Sequence, residues 1–161
     1  VIPNKSEIEL EDFLILEATN QSQTPVKCLD STLLSLNRNG FILGVATNDS
    51  EGAAISHLKN AKIYEHFDFV VGYDSGFGSK PEPGQIIAFC TQMHLKPNEV
   101  LMIGDSTHDL IASINAGTIP IGVLTGPAVK ADLKPYSSRI LNSIEDLIDL
   151  LNWKATKFVE N

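Results

Sequence analysis

From residue 41 onward, short apolar runs rich in β-branched residues alternate with stretches patterned for helices, and nothing else in the chain limits its fold so strongly. The runs Phe41–Ala46, Phe69–Gly72, Val100–Ile103, Ile119–Leu124 and Arg139–Leu141 predict strands. Between and after them, Ser50–Asn60, Pro83–Met93, Ser106–Ala116 and Ser143–Leu151 predict helices, and Val26–Asn39 reads as another, closed by Asn39-Gly40. Strands joined by helical crossovers pair in parallel, because a tight turn can only reverse the chain. Val100–Ile103 is apolar at every position, as suits a strand buried on both faces. Pro83 sits where a first helical turn tolerates proline, and Gly117 stands where a helix ends. The expected fold is an α/β, three-layer Rossmann-like domain with a mostly parallel sheet.

The 161 residues are 43% hydrophobic and 20% charged, enough for one domain with a real core. A net charge of −8 argues against a nucleic-acid backbone or an anionic membrane surface as the main partner. No apolar run approaches the roughly 20 residues of a membrane helix. The acidic start, Val1 to Phe13, lacks the layout of a signal peptide. Cys28 and Cys90 form no CxxC and have no Cys/His cluster beside them, so neither a zinc site nor a disulfide scaffold is expected, and a reducing, cytoplasmic setting fits. Residues 1–25 differ in character: an acidic segment with one apolar cluster, Phe13-Leu14-Ile15-Leu16, then a polar stretch ending at Pro25. They read as the remnant of a helical cap or linker, with 26–152 as the core domain and 153–161 as a tail.

Three strand ends carry polar residues that do not suit a core. Val100–Ile103 leads through Gly104 to Asp105 at a strand's C-terminal edge, where ligands of open α/β sheets gather, and Asp109 follows four positions later on the next helix, able to lean back to the same crevice. Helix capping and a first-turn acid are the plain explanation of this pair. Two carboxylates at such an edge also suit Mg²⁺, which takes one or two of them and completes its shell with water and phosphate. Phe41–Ala46 ends in Thr47-Asn48-Asp49, offering a hydroxyl and helix-opening N–H groups to a phosphate oxygen, though an N-cap role for the threonine is as good a reading. The glycine-rich loop Tyr73–Pro83 holds Lys80 in a proline frame that could keep its charge in the crevice rather than in solvent. Lys80 is followed by proline, and Gly76-Phe77-Gly78 does not continue to a third glycine, so no nucleotide-loop fingerprint is met. His57, His66, His94 and His108 show no metal-ligand spacing.

In this order Ala46-Thr47-Asn48, Ser79-Lys80-Pro81 and Gly104-Asp105-xxx-Asp109 resemble motifs two, three and four of the haloacid dehalogenase-like hydrolase superfamily. Lys80-Pro81-Glu82-Pro83, the Ile103-Gly104-Asp105-Ser106 turn and Asn115-Ala116-Gly117 are most similar to its phosphoglycolate phosphatase branch, and the likeness runs from about Val26 to Leu151. The resemblance implies a Mg²⁺-dependent phosphomonoester hydrolase acting on a small phosphorylated metabolite such as phosphoglycolate. Thr47 and Asn48 would bind the phosphoryl group, Lys80 would offset charge on nucleophile and phosphate, Asp105 would ligate Mg²⁺, and Asp109 would support the metal or Lys80. It also implies an aspartyl-phosphate formed by the first residue of an Asp-x-Asp motif after an upstream strand. Asp12 and Asp30 do not fit that motif. The sequence therefore predicts a sheet lacking its first strand and most of its cap, a nucleophile upstream of this chain, no activity for the chain alone, and association through an unpaired sheet edge. An inactive ligand- or protein-binding module and a sugar-phosphate mutase of the same superfamily are the alternatives.

Overall fold

A computed structural model describes residues 29–151. The expected cap or linker at 1–25, the tail at 153–161 and the first turn of the Val26–Asn39 helix lie outside the described residues. Along the chain run α1 (Leu29–Arg38), β1 (Gly44–Ala46), α2 (Glu51–Asn60), β2 (Phe69–Val71), α3 (Gly84–Gln92), β3 (Leu101–Gly104), α4 (Thr107–Ala116), β4 (Ile119–Val123), α5 (Lys130–Leu133) and β5 (Ile140–Leu141), with residues 146–151 again helical. Every described strand pairing is parallel, as the crossover pattern requires. The strands form two groups, β1-β2 and β3-β4-β5. No helix among the described residues is long and apolar enough to cross a membrane.

Helix α3 ties the two groups together. Ile86 and Cys90 pack with Val100, Ala112 and Ala116, joining α3 to β3 and α4, while Ala88 packs with Phe69 and Val71 of β2. Phe89 touches both clusters and meets the Phe69 ring edge-on at 5.5 Å between centroids. Gly44 makes room for it: a Cβ there would come within 2.7 Å of the Phe89 ring. Leu110, Ala112, Ile121 and Leu133 are buried completely or almost so and anchor α4, β4 and α5. Each such side chain contributes about 1.5–3 kcal/mol through the water-accessible apolar area it removes.

Several element ends differ from the sequence expectation. Strand β1 begins at Gly44 rather than Phe41, because only 44–46 register with β2, and Phe41 and Ile42 remain 43% and 41% exposed. The last helical stretch begins at 146 rather than Ser143, since Asp146 accepts hydrogen bonds from the N–H groups of Asn142 and Ser143 and holds them in a turn. Helix α5 was not expected; at one turn it is too short to show a period, and Asp132 steadies its start by accepting from Val129 N.

Candidate active site

The C-terminal ends of β1 and β3 bring the sequence-predicted residues to one place. Lys80 reaches in from the loop before α3, and its ammonium donates to the carbonyl of Ala46 at 2.7 Å and pairs with Asp109 Oδ1 at 2.6 Å. Its side chain is only 12% exposed and that of Asp109 only 9%. The lysine is therefore a buried fixed charge spanning two strand ends, and not a solvated surface group. Burial at this level is tolerated because both partners are hydrogen-bonded.

Asn48 explains how Lys80 is held. Its side-chain N–H donates to Lys80 O at 2.9 Å, and Lys80 N donates to Asn48 Oδ1 at 2.8 Å, so the amide pairs with the lysine backbone as a strand neighbour would. With both ends of the amide engaged, Asn48 stands in this structure as a holder of Lys80. The peptide between Lys80 and Pro81 is cis, and Asn115 of α4 donates to Pro81 O at 3.3 Å.

Thr47 follows β1 directly, with its N–H donating to Val71 O. Its Oγ1 accepts from Asp49 N at 3.0 Å, a local turn bond that leaves the hydroxyl proton to donate elsewhere. The N–H groups opening α2 are less available than the sequence suggested: Glu51 N donates to Asp74 Oδ1 and Ala53 N to Ser50 Oγ. A side-chain hydroxyl, rather than a row of helix amides, is what this strand end offers an anion.

Asp109 is saturated. Besides Lys80 it accepts from Ser106 N at 3.1 Å and Ser106 Oγ at 2.7 Å, while Ser106 Oγ accepts in turn from Asp109 N, a reciprocal cap on α4. Gly104 is what lets Asp109 fold back so closely, since a Cβ there would lie 2.1 Å from Asp109 Cβ. Asp105 is the freer carboxylate. Burial pushes its carboxyl above the ordinary aspartate range and the charge of Asp109 pushes the same way, with a backbone hydrogen bond and Lys80 opposing. Gly126 passes so near that a Cβ would overlap this carboxylate.

The three charged groups sum to −1, which disfavours an anionic phosphate until a cation joins them. Asp105 presents the hard oxygen a divalent cation prefers, while Asp109 serves Lys80 and Ser106. Among the described residues no three His, Cys, Asp or Glu side chains converge as a complete metal cage. That matches an ion whose shell is filled largely by water and substrate.

Gln85 was missed from sequence. It is fully buried on α3, where its Nε2 donates to Thr47 O at 2.9 Å and Gly78 O at 3.0 Å, fixing the end of β1 against the loop that carries Lys80. Its signal was there to read: a single amide at the head of the apolar run Ile86-Ile87-Ala88-Phe89-Cys90.

With this geometry established, likeness to known proteins can be stated. The chain is 32% identical over 122 residues to the pyrophosphatase PpaX of Bacillus mycoides (strain KBAB4), covering 75% of this chain and 57% of that protein, so it spans little more than half the length of such relatives. A predicted phosphatase from Clostridium acetobutylicum superposes with a TM-score of 0.70 at 27% identity, over 78% of this chain and 58% of the other. A predicted phosphoglycolate phosphatase from Haemophilus somnus 129pt shares the fold, with a TM-score of 0.79 at 23% identity over 91% and 68%. Residues 4–123 match the family described as haloacid dehalogenase-like hydrolase, three-quarters of the sequence and nearly all of the site just described; the chain belongs to that family.

Proposed function

We propose that this chain carries the phosphate- and Mg²⁺-binding part of a phosphomonoester hydrolase acting on a small phosphorylated metabolite. The observation that carries the reading is Lys80, buried and held between Ala46 O and Asp109 Oδ1 at the edge where Thr47 and Asp105 also stand. A cation fixed at that edge has no packing role that an apolar side chain would not fill better. Placed beside a transferring phosphoryl group, it offsets charge that grows on the peripheral oxygens.

The Thr47 hydroxyl donates to a phosphate oxygen, Lys80 neutralises a second, and Asn48, Gln85 and Asp109 keep these two groups in register. Asp105 holds Mg²⁺, with Asp109 supporting Lys80 beside it; the ion, when bound, offsets phosphate charge. The nucleophile of this reading is an aspartate upstream of this chain. Its carboxylate forms a bond to phosphorus as the ester oxygen departs with a proton, and water then cleaves the aspartyl-phosphate. The setting is the cytoplasm, where the buried thiol of Cys90 stays reduced.

The test uses the full 161-residue chain with orthovanadate and Mg²⁺, followed by calorimetry and a crystal soak. Binding in contact with Thr47 and Lys80, lost in Lys80→Met and weakened in Thr47→Val, is expected. An anion bound only elsewhere overturns the reading. The same preparation should hydrolyse neither an aryl phosphate, nor pyrophosphate, nor 2-phosphoglycolate measurably. Clear Mg²⁺-dependent turnover would mean that the nucleophile lies within these residues.

A further inference from the structure

In a parallel ladder the N–H and C=O of one residue point to one neighbour, and those of the next residue point to the opposite side. In β1 the odd positions turn toward β2: Leu43 O accepts from Asp68 N, and Thr47 N donates to Val71 O. Gly44 and Ala46 therefore turn their backbone groups away from β2. In β3, with Leu101 registered on Ile119, Val100 O accepts from Ile119 N, so the even positions turn toward β4. Leu101 and Ile103 turn theirs away. Among the described residues no strand pairs with either of these two edges.

Both edges line one cleft of about 590 Å³, to which the helices add Leu33, Leu36, Ile86 and Phe89. Lys80, Asp105 and Asp109 line it as well. The edges run the same way, since the Lys80 ammonium meets the last carbonyl of β1 and the carboxylate that follows β3. Strand side chains alternate between faces. Ala46 and Met102 pack toward α3 on one face, so Val45, Leu101 and Ile103 look to the other, and the cleft is apolar above and below.

We propose that this cleft receives one extended polypeptide strand of about five residues, parallel to β1 and β3, apolar on both faces and supplied from outside these 161 residues. Two facing edges of amide and carbonyl groups at ladder spacing match a backbone and no small molecule. A folded sheet from a second copy could pair with one edge but not with both. The curated relative and the solved relatives supply the source: this chain accounts for only 57% of PpaX and 58–68% of the two solved chains. The proposal rests on backbone geometry and stands apart from the phosphatase reading.

The probe is a capped synthetic peptide, Lys-Lys-Val-Ile-Val-Ile-Val-Asp, titrated into the full chain, with a control carrying proline in place of the central valine. Saturable one-to-one binding near ~10 μM is expected, weakened at least about a hundredfold by the proline, which removes a ladder donor. Amide exchange at Gly44, Ala46, Leu101 and Ile103 should slow at least about tenfold on binding, while that of Val45 and Met102, already facing their neighbours, changes less. No binding at about 1 mM overturns the proposal, as does binding that leaves those four amides unchanged. Slow exchange at all four in the chain alone also overturns it, because the cleft is then filled by this chain or by a second copy. Peptide binding in a chain that fails to bind vanadate supports the strand site and counts against the phosphatase reading alone.

Discussion

Asn48 and Asp105 have opposite relations to their surroundings. Both hydrogen-bonding ends of Asn48 are engaged by the Lys80 backbone, so Asn48→Ala removes two hydrogen bonds and frees the loop. The expected loss is about 1–2 kcal/mol of stability by chemical denaturation, together with weaker vanadate binding; Asn48→Asp keeps one of the two bonds and should fall between. Asp105 is held at a cost instead. Its folded-state carboxyl ionises above the ordinary value near 3.8, so below that value it is protonated in both states and has no effect. As pH rises through the raised value, ionisation costs the folded state more than the unfolded one. Asp105→Asn should accordingly raise the melting temperature at pH 7–8, with the gain fading toward pH 3.8. Added Mg²⁺ should raise the melting temperature of the wild type and leave that of the variant unchanged.

Among the elements, the β3–α4 corner joins stability to the site most directly. Ser106 caps α4 and also presents its N–H and hydroxyl to Asp109, which in turn grips Lys80. Ser106→Ala should cost about 1 kcal/mol as a lost cap, with Ser106→Thr restoring most of it. Gly104→Ala has no such remedy, since the added methyl overlaps Asp109 and must drive it off Lys80. A loss of roughly 2–4 kcal/mol is expected, with weaker anion binding in calorimetry as the sign that Lys80 has moved. Here the sequence was legible: an apolar run, a glycine, and two carboxylates four apart marked the corner correctly. What Asp109 does there was not legible, because a first-turn acid, a metal ligand and a lysine partner share one spacing. Only the fold of the Tyr73–Pro83 loop, which brings Lys80 in from 29 positions earlier, decides among them.

At the scale of the whole molecule, two strand groups are joined through one helix. Phe89 of α3 packs into the cluster on β3 and α4 and into the cluster on β2. Phe89→Ala should therefore cost about 2–4 kcal/mol and should lower amide protection in both groups, whereas loss in one group only would show that α3 is not the tie. The sequence by itself determined the alternation of strand and helix, hence the parallel pairing and the common edge at which Thr47, Lys80, Asp105 and Asp109 meet. Those follow from periodicity and crossover length, which are local properties of the chain. Tertiary structure alone decided that Asn48 and Gln85 hold the site in register, that Asp109 serves Lys80, and that β1 and β3 turn open edges to a single apolar cleft. Each of these depends on hydrogen-bond partners more than thirty positions apart or on strand neighbours set by packing, and no local pattern records which strand lies beside which.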